Sequence, residues 1–128
     1  MANKTKMDNT YAFEKLDAWI QAKELTKLVY KLATKFPNYE QFALCSQVRR
    51  AIISVPSNIA EGAGRISFKE KIHFLEIAYG SLMETYCQLQ IAVELGYITN
   101  DELENIKPSF FSTSRLISGL HHSYETKP

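Results

Sequence analysis

The stretch SVPSNIAEGAGR, from Ser54 to Arg65, gathers a proline, an amide, a carboxylate, two glycines and an arginine. Glycines followed by a cation suggest a loop that cradles phosphate. Such loops follow a strand, so that the next helix aims its free amides at the anion. Here the preceding apolar spacing is helical. Gly62-Ala63-Gly64-Arg65-Ile66-Ser67 also lacks the third glycine of a dinucleotide loop, and no G-K-[ST] follows. Pro56 removes a backbone donor and crowds the carbonyl of Ile52, which predicts either a kink or a restart capped by Ser54. Asn58 and Glu61, one turn apart, lack a nucleophile or base partner and suit the backbone groups that the proline exposes.

Two basic groups could meet an anion. Lys23, Lys27, Lys31 and Lys35 recur every four residues, giving a stripe that is either a row of phosphate contacts or a solvated helix face. Arg49, Arg50, Arg65, Lys69 and Lys71 are read as a second group around the turn between the second and third helices, where a helix N-terminus adds positive potential. Tyr30 and Phe68 are the nearest aromatic residues along the chain. Recognition of unpaired bases is therefore not expected, and nucleic-acid binding would be electrostatic and salt-sensitive.

His121 and His122 are adjacent and diverge on a helix; with His73 elsewhere, no metal site is expected. Cys45 and Cys87 lack CxxC spacing and read as buried, reduced thiols. No cofactor motif and no catalytic set is found. The polar start MANKTKMDNT and the absence of a long apolar run predict a cytoplasmic chain without a membrane span. Net charge is +1, but residues 1–73 carry 12 Lys+Arg against 7 Asp+Glu and residues 74–128 carry 3 against 7. Halves of +5 and −4 suit nucleic-acid contact or charge-matched docking of subunits.

Helices must position these groups. Ala18, Ala22, Leu25, Val29, Leu32 and Phe36 share one side of a first helix, from Tyr11 until Pro37 ends it. Asn38 with Gln41 predicts a capping box for a second helix with an inward row Leu44, Val48, Ile52, Val55 and Ile59. Gly62 or Gly64 supplies a left-handed cap. Ser67 with Glu70 opens a third helix whose heptad seam is Phe68, Ile72, Leu75, Tyr79, Leu82, Tyr86, Leu89 and Val93, ending near Gly96. Thr99 with Glu102 opens a fourth, carrying Leu103, Ile106, Phe110, Thr113, Ile117, Leu120 and Tyr124, which Pro108 kinks or divides. Short connections make the fold all-α, an antiparallel up-down-up-down four-helix bundle over residues 11–124, with tails at 1–10 (disordered) and 125–128.

Phe13, Leu16 and Ile20 lie off the inward row of the first helix, and Phe42, Cys45, Ile53 and Ala60 flank that of the second. A helix apolar on two sides must be covered on two sides, which predicts a homo-oligomer. Gly80 and Ser81 lie mid-helix, where glycine costs about 1 kcal/mol relative to alanine. A close helix crossing would compensate, with Glu84 meeting Arg49 or Arg50.

QVRRAIISVPSNIAEGAGR, FLEIAYGSLMET and ELGYI closely resemble a bacterial four-helix-bundle family of proteins encoded within intervening sequences of large-subunit ribosomal RNA. The match in order and spacing covers Gln47, Arg49, Arg50, Ser54, Pro56, Asn58, Ile59, Ala60, Glu61, Gly62, Arg65, Gly80, Ser81 and Glu84. The resemblance implies a bundle, often a homopentameric ring, without established enzymatic activity. It also implies kinship with the accessory variability protein of diversity-generating retroelements, a basic barrel that binds nucleic acid and a reverse transcriptase. Two functions stay open: a homo-oligomeric adaptor that binds RNA, DNA or a nucleic-acid enzyme through Lys23, Lys27, Lys31, Arg49, Arg50, Arg65, Lys69 and Lys71, or a protein scaffold whose basic residues form subunit interfaces.

Overall fold

Apolar residues at steps of three and four build four helices in the computed structural model, which describes residues 9–127. They are α1 (Asp17–Ala33), α2 (Leu44–Ala63), α3 (Phe68–Glu94) and α4 (Asn100–Glu125). Consecutive helices adjoin and α4 returns to α1; among the described residues no contact joins α1 to α3 or α2 to α4. The four stand at the corners of a square and alternate in direction. At one end Lys35, just past α1, pairs with Glu102 in the first turn of α4 at 2.9 Å. At the other, Phe68 at the start of α3 packs on Tyr124 near the end of α4. Leu25, Val29, Ile52, Ile59, Leu75, Leu82, Leu89 and Ile117 fill the centre, each contributing roughly 1.5–3 kcal/mol by burial. No helix among the described residues is long and apolar enough to cross a membrane. The tail expected at residues 1–10 falls almost wholly outside the described residues, as does Pro128.

The inward rows of α1, α2 and α4 match the stepping in the sequence. On α3 the buried row is Leu75, Ala78, Leu82, Thr85, Leu89 and Ala92, with Tyr79 39% exposed. The expected seam followed the larger residues, whereas α3 is covered from both α2 and α4 and its small residues face the centre. Thr113 sits in the core as expected, its hydroxyl donating to the Ser109 carbonyl at 2.7 Å.

Helix ends divide the expectations. Ser67 and Thr99 cap α3 and α4 as their spacing predicts, each accepting from the amide three residues on. Gly96 adopts φ 79°, and the bonds from Gly96 to Val93 and from Tyr97 to Ala92 close the left-handed glycine cap of α3. Three other expectations are corrected. A short 3-10 turn over Ala12–Lys15 precedes α1. Asn38 does not cap α2: Asn38–Glu40 is a second 3-10 turn, and α2 starts at Leu44, whose amide donates to the Glu40 carboxylate at 3.1 Å. Neither Gly62 nor Gly64 is left-handed; Gly64 has φ −83° and Gly62 lies buried within the helix.

Both prolines stay inside unbroken helices. A proline within a helix costs about 3 kcal/mol, and buried neighbours offset it here: Val55 and Ile59 around Pro56, Leu103 and Phe110 around Pro108. Ser54 caps no restart. The Asn58 amide donates to the Ser54 carbonyl at 2.8 Å and not to the Ile52 carbonyl that Pro56 leaves without its helical donor.

Candidate interaction site

α2 and α3 run antiparallel and touch through a row of polar side chains. Ser54 and Ser81 share a hydroxyl hydrogen bond at 2.9 Å, and the Asn58 amide also donates to Ser54 Oγ at 2.8 Å. Seven residues further along each helix, the Gln88 amide donates to Gln47 at 3.5 Å and to Glu84 at 3.2 Å. Between these two levels lies a groove of about 460 Å³ lined by Gln47, Arg50, Ala51, Ser54, Ser81 and Glu84. Gln88 is 8% exposed, and its Oε1 is buried without a hydrogen-bond partner. A buried acceptor left unpaired costs roughly 1–3 kcal/mol.

Six of the fourteen residues that carry the sequence motif converge here. Gln47, Arg50, Ser54, Ser81 and Glu84 line the groove, and Asn58 braces it. Glu84 bonds to Gln88, and no ion pair joins it to Arg49 or Arg50 among the described residues, so the expected pairing is corrected. The expected close crossing at Gly80 is corrected as well: an added Cβ there would meet nothing within 4 Å. The close approach belongs to Gly62, where a Cβ would fall 3.0 Å from Phe74 Cβ and 3.1 Å from the Lys71 carbonyl.

The nine basic residues do not form two open patches. Arg49 and Arg50 occupy the second turn of α2, about 20 Å by helical rise from the α2–α3 turn, so the group expected around that turn contains only Arg65, Lys69 and Lys71. Arg65 pairs with Glu61 and lies 4.6 Å over the Phe74 ring. Lys71 donates to the Ala63 carbonyl at 2.8 Å and sits between Phe68 and Tyr124. Arg49 donates to Cys45 Sγ at 2.9 Å and to the Gln41 carbonyl. Lys69 and Arg50 are exposed.

Steps of four advance about 40° around a helix, so the lysine stripe winds. Lys23 lies over Trp19 on the side toward α2, Lys27 pairs with Glu24, and Lys35 reaches Glu102 of α4; Lys31 is exposed between them. The sequence reading missed Trp19, one turn from Lys23 on the same helix, and also Phe74 and Tyr124, which helix packing brings to Arg65 and Lys71.

At the far end, Tyr97 donates to Glu40 at 2.6 Å while its ring meets Phe36 and Tyr39. The phenol, and then the Leu44 amide, hold the Glu40 carboxyl below its ordinary range. Glu40, and then Tyr39, push the Tyr97 phenol well up. Backbone bonding to Thr99, followed by Lys35, lowers Glu102.

Cys45 is buried, whereas Cys87 is exposed, against expectation. Cys45 donates toward the Ala33 carbonyl at 3.6 Å and so belongs to the core rather than to an outer flank. His121 contacts Glu76 at 3.1 Å and Glu125 at 3.5 Å. No group of three or more His, Cys, Asp or Glu among the described residues could hold a metal ion. Of the apolar residues expected outside the inward rows, Phe42 is 92% exposed, Ile53 44% and Ile20 41%. Phe13, Ile53, Pro56 and Ala60 line a further groove between α1 and α2.

The model of the 23S rRNA-intervening sequence protein family matches residues 14–119. A crystal structure of a protein of unknown function from the S23 ribosomal protein family, from Bacteroides thetaiotaomicron, superposes with a TM-score of 0.74 at 23% identity. That alignment covers 81% of this chain and 97% of the other. No curated protein matches the chain.

Proposed function

The chain belongs to the 23S rRNA-intervening sequence protein family, and on that premise we propose that it is a non-enzymatic, self-associating scaffold that binds protein surfaces. The observation that carries this reading is an inversion of roles at the surface. Arg49, Arg65, Lys27, Lys35 and Lys71 are engaged within the chain, while Phe42, Ile53, Leu95 and Ile66 project outward. Exposed apolar residues on several faces of a small bundle favour burial against other chains. The Ser54 and Ser81 hydroxyls bond to each other and Ser54 Oγ accepts from the Asn58 amide; none of the three is a general base at neutral pH.

Mass measurement by light scattering across a concentration series tests the proposal. A multiple of the 14.6 kDa chain at micromolar concentration supports it, whether five chains, as the resemblance implies, or another number. A single-chain mass throughout overturns it.

A second reading, an adaptor for RNA or DNA, is favoured by the exposed Lys69 beside the α3 N-terminus together with exposed Lys23 and Lys31. Nucleic acid that co-elutes at low salt and is lost between about 50 and 200 mM salt would support it; retention insensitive to salt would contradict phosphate contact.

A further inference from the structure

The charge split along the chain becomes a split across the bundle. α1 and α2 carry five Lys and Arg against three Asp and Glu, and α3 and α4 carry four against eight. Because consecutive helices adjoin and α4 returns to α1, the α1–α2 face and the α3–α4 face lie on opposite sides of the square. Each also exposes apolar surface. On the α1–α2 face a groove of about 380 Å³ is lined by Phe13, Trp19, Ile53, Pro56 and Ala60 together with Lys23 and Lys27, and by no carboxylate among the described residues. On the α3–α4 face one groove is lined by Glu76, Tyr79 and Ser118, and another by Gln90, Glu94 and Glu104. Met83 lies seven residues from both Glu76 and Gln90, and Phe111 seven from both Glu104 and Ser118, so each shares a helix face with groove residues on either side of it. Met83 and Phe111 are 41% and 55% exposed.

We propose that these two faces form one head-to-tail joint, in which the α1–α2 face of each copy, with Ile53 and the groove beside it, receives the α3–α4 face of the next copy, with its Met83 and Phe111. Neither face complements itself. Two α1–α2 faces would bring basic residues together and two α3–α4 faces acidic ones, and like charges across an interface oppose contact. Head-to-tail docking instead sets basic against acidic at every joint. Repeated about an axis, a joint of this kind closes into a ring, five chains included.

One contact then covers apolar residues on two opposite sides of the bundle, because every copy uses both faces. It also supplies opposite charge to groups that lack it inside one chain. Lys23 lies over Trp19 and Glu94 lines its groove, and neither makes an ion pair among the described residues. The polar groove between α2 and α3 is on an adjoining side of the square and stays outside the joint.

The inference rests on the self-association reading, and one experiment separates the two. Ile53→Asp and Phe111→Asp are made as separate proteins, each with a circular dichroism melt to confirm folding; Ile53→Gln and Phe111→Gln take the place of a variant that does not melt as the parent does. Light scattering then gives the mass of each alone and of an equal mixture, at a concentration where the parent is assembled. Each variant spoils one side of every joint and should associate at least about tenfold more weakly than the parent. The mixture should form a two-chain species and nothing larger, because the intact α3–α4 face of Ile53→Asp can meet the intact α1–α2 face of Phe111→Asp only once. A parent that remains a single chain overturns both readings. Either variant alone keeping the parent's mass overturns the head-to-tail joint and leaves self-association standing. So does a mixture that stays as single chains or assembles beyond two.

Discussion

The seam between α2 and α3 is closed at one level and open at another. At Gly62 the helices approach so closely that a single methyl would press on Phe74 and the Lys71 carbonyl. Further along, Ser54, Ser81, Gln47 and Gln88 bridge the helices and leave a polar groove outside them. Gly80, beside Ser81, faces open space. Two glycines bordering one seam therefore have opposite functions: one permits packing that already exists, and the other leaves surface unoccupied. A glycine's conformational cost reveals nothing of which function it serves; the atoms opposite it do.

Substitutions at the two levels should separate accordingly, and the largest effect belongs to the closed one. Gly62→Ala should destabilise by about 1–3 kcal/mol through overpacking against the Lys71 carbonyl and the Cβ of half-buried Phe74, lowering the thermal midpoint by several degrees. An unchanged midpoint would mean that the helices part there without strain. At the bridging level, Ser54→Ala should cost about 1–2 kcal/mol by leaving Ser81 and Asn58 short of a partner. Combined with Ser81→Ala, the loss in denaturant midpoint should be smaller than the sum of the single losses; strict additivity would show that the two hydroxyls do not act as a pair.

Gly80→Ala should move stability the other way, by up to about 1 kcal/mol, when unfolding is followed at dilutions where the chain is single. Destabilisation under those conditions would place a neighbour against Gly80 that the open space does not contain.

The smallest effect is expected at the opposite end of the bundle, where the loop joining α1 to α2 is held by an ionisable contact. Glu40 has its folded pKa lowered, first by Tyr97 and then by the Leu44 amide. That contribution is complete above the ordinary carboxylate range, about 4.3 for an unfolded glutamate, and disappears as pH falls through the lower folded value. Tyr97→Phe should therefore reduce stability slightly at neutral pH and converge with the parent in acid. A gap that stays constant down to acid pH would mean that ring packing alone accounts for the contact.

Much of the helical framework could be read from local pattern because local pattern causes it. Ser67, Thr99 and Gly96 act within one turn of their own helices, so spacing alone locates those ends. The start of α2 is different: Glu40 caps Leu44 while held by Tyr97, 57 residues away along the chain. Spacing pointed instead to Asn38, which opens a separate 3-10 turn six residues before α2 begins. The candidate site was legible as a set of residues and not as a place. Gln47, Arg50, Ser54, Ser81 and Glu84 are split between two helices, and only the register of α2 against α3 brings them to one groove. Gln88 went unnoticed, although it continues the Ser81 row at a spacing of seven.

The sequence by itself determined four helices, their order, most of their inward rows and an all-α bundle, because amphipathic periodicity and capping chemistry act over a few residues. Tertiary structure alone decided which glycine is crowded, which proline-bearing helices stay whole, and which cations are already engaged. Those outcomes depend on what stands across a helix interface, where residues far apart in the chain meet in distances and angles that no local spacing encodes.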